Sequence, residues 1–529
     1  MGLSGHKLIK GTLILTIAGF LTRIIGFVYK IYLADILGAK MLGIYQLVFP
    51  VYSICFTIYG AGIQTAISQV IASNIGSSKK TSPGKILAAG IALSMTLAVT
   101  LSFLVFTQAE WVASHVAMEP GLTPYLRILS ILFPFCSLSA CINGYYYGIQ
   151  EAKIPAITQI VEQIARVLFV MGFAYFCATT VSQEKNCAIA VGGLVAGEII
   201  SCLYNSYQLF FCSSFHKKRQ SVVSSNLLSK EKWHAFPQKQ SSNPAKKERF
   251  STLLWLAATL TATKLFVSIL HSIESLLLPA MLRRFGCSST EALSIYGVLT
   301  GMSLSFIFFP STITNSFAVM LLPSIADAHA RKDVDKIRHS VTLSVKYSLL
   351  IGLLCTCVFL LFGKEMGQIF FHNADAGSYL TVLSWLCPFL YLTTTLTSII
   401  NGMKKTQVTF LFTVISVSLK ILILVIAVPV YGIRAYLVGL LASQLIHVIL
   451  ECGYLFPYIH LDAVRWICVP GILLSLLGCV TKASYEWLHS WLGNQYNIVI
   501  LLGATVLLCS VYTILLFLLR IISRKDVRG

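Results

Sequence analysis

The sequence predicts an all-α polytopic membrane protein of about fourteen transmembrane helices. They form two pseudo-symmetric six-helix lobes with two extra helices at the C-terminal end. Three observations predict this. The 529 residues are 56% hydrophobic and only 11% charged, which no water-soluble domain matches. The cationic residues fall in alternate loops. The first half of the chain resembles the second.

Fourteen apolar runs are long enough to cross a hydrocarbon core, which takes about 20 helical residues. They lie at 9–33, 43–72, 85–107, 122–149, 154–179, 186–212, 251–285, 291–326, 340–363, 376–403, 405–428, 432–457, 464–488 and 495–522. Several are longer than one crossing needs, which predicts tilt or kinks. Pro50, Pro134, Pro310, Pro323 and Pro388 mark where backbone hydrogen bonds are missing. The first run is too long, and lacks the small-residue cleavage pattern, for a cleaved signal peptide.

The division expected is an N-lobe at 1–212, a basic linker at 213–250, a C-lobe at 251–457 and the extra pair with a tail at 458–529. The linker is Ser-rich and poor in bulky apolar residues, the composition of a solvated tether. If the N-terminus faces the cytoplasm, the segments on that side carry 26 of the 40 Lys and Arg residues. The opposite segments carry 7: Lys40, Lys185, Arg283, Arg284, Lys364, Arg434 and Lys482. By the positive-inside rule both termini are cytoplasmic. Most of the +20 formal charge then faces lipid headgroups, and no nucleic-acid partner is expected.

The repeat is legible in words as well as counts. YLRILSILFPF (Tyr125–Phe135) matches YLTVLSWLCPF (Tyr379–Phe389), and each is followed by Ile-Asn-Gly, at Asn143-Gly144 and Asn401-Gly402. Thr22-Arg23 aligns with Thr263-Lys264, and Arg166 with Lys420 at the spacing of the Tyr-Leu match. Ala196-Gly197-Glu198 aligns with Ala442-Ser443-Gln444. Six spans per half give both halves the same topology, a parallel repeat about an axis along the membrane normal. That is the plan of a transporter rocking two bundles around a central site.

The intramembrane charges carry the chemistry. A central Arg costs at least about 2.5–3.5 kcal/mol to insert, so it faces a wet cavity or a partner. Arg23 lies deep in the first run, and Arg127, Arg166, Lys264, Lys346 and Lys420 lie in others. Arg23 and Lys264 hold equivalent places in the opening helices. Facing each other, they would suit a diphosphate, since Arg binds phosphate bidentately and Lys acts as a point charge. Lys346 and Lys420 could instead snorkel to the surface. Glu162 and Arg166, four apart, could simply pair. Glu198 and Glu274, with Glu162, are candidate Na+ or H+ sites; Glu451 lies nearer a span end. Tyr45 and Tyr296 fall in matching contexts, Tyr145–Tyr147 close a span, and GAGIQ (Gly60–Gln64) lets backbones approach or a helix bend. The cysteines sit mostly singly in apolar runs, as small buried hydrophobes rather than metal ligands. No phosphate loop, HExxH or GxSxG is present, so neither an enzyme nor an ATPase is expected, and no cofactor.

The opening KGTLILTIAGFLTRIIGFVYKIYLADILGAKMLGIYQLVFPVY (Lys10–Tyr52) resembles that of the stage V sporulation protein B group. QIVEQIARVLFV (Gln159–Val170) and IYGVLTGMSLSFIFFPSTI (Ile295–Ile313) are also similar to it. The group belongs to the polysaccharide-exporter branch of the multidrug/oligosaccharidyl-lipid/polysaccharide flippase superfamily. The resemblance implies a MATE- and flippase-like fold in the plasma membrane with a central cavity between spans 1–6 and 7–12. It implies that the partner is a polyprenyl-diphosphate-linked glycan, such as lipid II, flipped between leaflets. Thr22-Arg23-Ile24-Ile25-Gly26-Phe27 matches the context of a cavity-lining Arg in the related lipid II flippases. Where those flippases continue with an Arg-Asp pair this chain has Tyr29-Lys30, so no ion pair carries over. Membrane lipids and cell-wall synthesis proteins are the other partners implied, and the last two spans would border a groove for the lipid tail. Two other readings compete: a cation-coupled exporter of small drugs, and a non-transporting scaffold for envelope assembly.

Overall fold

The computed structural model describes residues 3–76, 83–176, 182–212, 246–459, 462–493 and 496–522. All regular structure among them is helical. Eleven helices are long and apolar enough to cross a membrane, and two bent pairs raise the number to thirteen. The longest, Ile14–Ser73, is divided at Gly38, where φ is 67° and ψ 171°. Split there, it supplies two crossings, and the fourteen expected spans are all present. They are α1 (3–37), α2 (39–76), α3 (Pro83–Thr107), α4 (120–148), α5 (Lys153–Phe176), α6 (183–212) and α7 (Lys246–Phe285). Then follow α8 (289–330), α9 (Val334–Phe371), α10 (374–402), α11 (Thr406–Tyr431), α12 (Ile433–Leu455), α13 (464–492) and α14 (Asn497–Leu518). Residues 213–245 of the expected linker lie outside the described residues. Its last five residues are already helical, so α7 starts at Lys246 rather than 251.

The end of the bundle from which α1 starts is called proximal here, and the opposite end distal. Two distal connections are single glycines. Gly38 joins α1 to α2, and Gly432, with φ 63°, joins α11 to α12. A left-handed residue costs an L side chain about 1–2 kcal/mol and glycine nothing. These joints bring Tyr29 and Tyr45 to one cavity, and Lys420 and Tyr436 to one carboxylate.

The repeat seen in the sequence is a repeat of bends. α4 turns by 48° between Ser130 and Leu132, and α10 by 57° between Leu383 and Leu386. In each, a proline (Pro134, Pro388) sits in the first turn after the bend, where its ring removes a backbone donor. The Asn-Gly ends do equivalent jobs too. A Cβ on Gly144 would lie 2.6 Å from the Gln64 carbonyl oxygen of α2, and one on Gly402 would lie 2.9 Å from Ile325 Cβ of α8. Each lobe thus packs its fourth helix onto its second through a glycine, the small-residue contact that replaces hydrophobic driving force in a bilayer. GAGIQ does both things expected of it. Thr57–Ala61 forms a π-helical turn, and a Cβ on Gly62 would collide with Thr261 of α7. α8 breaks at Phe309 and Pro310, so its expected 291–326 run is two helical pieces.

At the distal end the lobes meet main chain to main chain. A Cβ on Gly43 of α2 would lie 2.1 Å from the Leu293 carbonyl oxygen, and one on Gly297 of α8 would lie 2.1 Å from that of Ala39. Beside this seal Arg283 donates to the Met118 carbonyl at 2.7 Å. α13 and α14 pack on α9, on the outside of the second lobe. Lys482 corrects its placement among the loops: it lies inside α13 and binds Glu365 of α9 at 2.5 Å, over the rings of Phe362 and Tyr485. A long cation reaching one helix over is how a pair without a large polar face is fixed in place.

Candidate functional site

α1 carries Arg23 and Lys30, seven residues and two helical turns apart, on one face. That face meets α8 of the other lobe. Phe27 between them packs on Phe306 and Phe309, at ring distances of 5.1 and 4.9 Å. Both cations therefore point into a cavity of about 730 Å3 on the proximal side of the glycine seal. Its walls come from both lobes: α1, α2 and α5 on one side, α8 and α10 on the other.

The polar lining is rich in neutral groups. The Arg23 guanidinium donates to Thr312 Oγ1 at 3.4 Å. With the Asn315 amide turned so that its oxygen faces Arg23, that oxygen accepts from both Nη atoms, at 3.2 and 2.5 Å. Lys30 donates to Ser305 Oγ at 3.2 Å. Arg166 of α5 enters from the other side, paired with Glu162 one turn earlier and donating to Gln163 Oε1 at 3.4 Å. Its Nε has no partner. Glu162 is the one acid bonded to any of the three cations among the described residues, so the lining keeps an excess of positive charge. Cations held in a pocket by neutral oxygens are poised to exchange them for an anion, because charge-assisted bonds are roughly twice as strong as neutral ones.

The other predicted residues divide. Lys264 does not face Arg23 across the cavity. It donates to the Ala61 carbonyl at 2.9 Å and to Thr65 Oγ1 at 2.8 Å, on the π-helical turn of α2. The physical reason is that a π turn leaves carbonyls without their usual partners, and the ammonium supplies one. Arg23 and Lys264 are equivalent in another sense: each reaches from its lobe's first helix to the second helix of the opposite lobe. Arg127 is exposed on the distal arm of α4 and lies outside the cavity lining, which corrects its assignment to the headgroup set. Lys420 is likewise not free. It binds Glu274 of α7 at 2.7 Å, and Tyr436 donates to the same carboxylate at 2.6 Å. Glu274, expected as a candidate Na+ or H+ site, therefore has a resident cation from another helix. Glu198 is buried in α6, beside Gly197, whose Cα backs onto Glu162 and Arg166.

Lys30 was missed as a site residue. Its signal was present in the seven-residue spacing from Arg23, which places both on one helix face.

The family described as Polysaccharide biosynthesis protein matches residues 8–284, and the family described as MatE matches residues 265–426. The chain is similar to Stage V sporulation protein B of Bacillus subtilis (strain 168), at 23% identity over 98% of this chain and 97% of that protein. It is similar to Lipid II flippase MurJ of the same organism, at 20% identity over 90% of this chain and 88% of that protein. Among solved structures, lipid II flippase MurJ in an inward closed conformation aligns with a TM-score of 0.64 at 14% identity, covering 96% of this chain and 100% of that one. An inward-facing multidrug resistance MATE family transporter of the MOP superfamily aligns with a TM-score of 0.63 at 13% identity, covering 84% and 98%. At these identities the structural likenesses speak for the fold alone.

Proposed function

We propose, from the premise that this chain belongs to the polysaccharide biosynthesis protein family and is a multi-pass transporter of the MOP superfamily, that its cargo is a polyprenyl-diphosphate-linked saccharide. Arg23, Lys30 and Arg166 hold the diphosphate. The observation that carries this reading is the convergence of those three cations on one cavity between the lobes. A polyprenyl tail can remain in lipid while only the head crosses. Desolvating the head is costly unless hydrogen bonds and countercharges replace its water. The cavity supplies both: the three cations for the phosphates, and Gln46, Gln163 and Asn315 for sugar hydroxyls.

With Lys482 inside α13, the 26 to 6 distribution of loop Lys and Arg supports a cytoplasmic proximal end in a plasma-membrane protein. The cavity then lies inside a seal on the outer face, the side to which the head is delivered. Alternation follows if the Gly43–Gly297 contact opens while the proximal ends close. A cationic drug would meet the wrong sign of charge in this cavity.

The test is translocation of fluorescent lipid II in proteoliposomes. Wild type should move it, and Arg23→Ala and Lys30→Ala should each slow it by about ten- to a hundredfold, the value of roughly 1.5–3 kcal/mol for a hydrogen bond to a charged group. Unchanged rates in both variants, with normal folding, would remove the diphosphate from this cavity.

A further inference from the structure

Most buried side chains of the second lobe satisfy their polar atoms. Two atoms on α12 do not: His447 Nε2 and Glu451 Oε2 have no hydrogen-bond partner. The two residues are one turn apart on the same face, at the heart of the contact of α12 with α10 and α11. Glu451 has 0% exposure and His447 8%. The other oxygen of Glu451 accepts from Thr397 of α10 at 2.5 Å, and His447 Nδ1 lies 3.3 Å from Ser416 Oγ of α11. The remaining gap, His447 Nε2 to Glu451 Oε1, is 3.6 Å, too long for a hydrogen bond.

The contrast with other membrane acids is instructive. Glu162 and Glu274 each hold a Lys or Arg, whose charge is permanent at physiological pH. Glu451 has only a histidine, the side chain whose charge changes most readily near neutrality. A hard cation such as Ca2+ or Mg2+ takes six or more oxygen ligands, whereas this site offers the two oxygens of one carboxylate, two hydroxyls and an imidazole. That set suits a proton. The other ionisable groups bearing on the pair are Lys420 of α11, itself bound to Glu274, and Cys452 on α12. α10 contributes only the Thr397 hydroxyl to it. An apolar crevice of about 350 Å3 reaches Cys452 and Gly453, the next residues along the helix.

We propose that His447 and Glu451 form a proton-binding site within the second lobe, separate from the cationic cavity, and that the proton is a coupling ion of transport. On uptake an O–H bond forms at Glu451 Oε2 with a proton drawn from the aqueous phase at the proximal end. On release that bond breaks and the proton returns to water. Loading changes the charge of a pair that Thr397 links to α10 and Ser416 links to α11. Occupancy thereby acts on the packing of three helices. The coupling part rests on the transporter reading above; the binding part does not.

Two measurements on the purified full chain decide it. The first is infrared difference spectroscopy between acidic and alkaline buffers, in vesicles of phosphatidylethanolamine and phosphatidylglycerol. Wild type should show a carboxylic-acid C=O band that titrates. Glu451→Gln, which keeps the Thr397 bond, should abolish it, and His447→Gln should move its midpoint. A band unchanged in Glu451→Gln, or none in wild type, overturns the site. The second is fluorescent lipid II translocation under an imposed pH gradient. Wild type should respond severalfold and Glu451→Gln not at all. A wild type that moves lipid II but ignores the gradient overturns the coupling. A titrating band with no lipid II movement sustains the site and sinks the cargo reading instead. Matching thermal unfolding of the variants and wild type excludes misfolding.

Discussion

Arg166 in the first lobe and Lys420 in the second occupy aligned positions in α5 and α11, yet their surroundings differ. Arg166 pairs within its own helix, with Glu162 four residues earlier, and keeps its Nε free at the cavity edge. Lys420 has Ser416 where Arg166 has Glu162, so its own helix offers no acid. It crosses instead to Glu274 of α7, 2.7 Å away, and is withdrawn from the central space. The first helix of the N-lobe has no counterpart acid; Leu33 stands at the position aligned with Glu274. A single exchange of which helix supplies the acid thus leaves one cation of the repeat at the cavity between the lobes and ties the other into the packing of its own lobe. Duplicated lobes diverge by moving counter-ions, not only by changing the charges themselves.

The comparison can be broken most sharply at Glu274. Glu274→Gln strands a buried ammonium, and removing one partner of a buried pair costs about 3–5 kcal/mol. Thermal unfolding in detergent should show a large loss of stability, whereas the same change in a pair that serves only binding would not. Next comes Arg166→Gln. It should slow lipid II translocation by about ten- to a hundredfold, equivalent to roughly 1.5–3 kcal/mol, while leaving unfolding nearly unchanged. A smaller effect is expected for Glu162→Gln. Its pair with Arg166 is part exposed, at 20% and 28% of the side chains, so stability should fall by only about 0–1 kcal/mol. The smallest is for the double variant Glu274→Leu with Lys420→Met, which removes both charges and fills their volume. Buried pairs replaced this way are often neutral or stabilising, so unfolding should return close to wild type. Should the double variant stay as unstable as Glu274→Gln alone, the pair is not the cause of the loss.

The sequence made the fourteen crossings and the repeat legible, because both rest on local pattern: apolar length, Pro-Phe after a bend, Asn-Gly at a helix end. It also made the Glu162–Arg166 pair legible, since four-residue spacing fixes that contact. Lys30 was readable in principle from its spacing to Arg23. The Lys420–Glu274 pair was not, because the two residues are 146 positions apart on helices whose contact only the packed lobe creates. Lys264 misled for a related reason. Alignment within the repeat places equivalent residues, but it does not reveal that one receiving helix has a π turn with a carbonyl to offer.

The seal at Gly43 and Gly297 has a kinetic meaning. A door made of side chains can flicker open as one rotamer flips, on a timescale of picoseconds to nanoseconds. Here main chain lies directly on main chain, with no room for even a methyl group between. No single residue can swing aside. Opening demands that whole helices part, a collective motion of microseconds or slower. A passage through the distal end therefore opens only when both lobes move together, and no faster than they part.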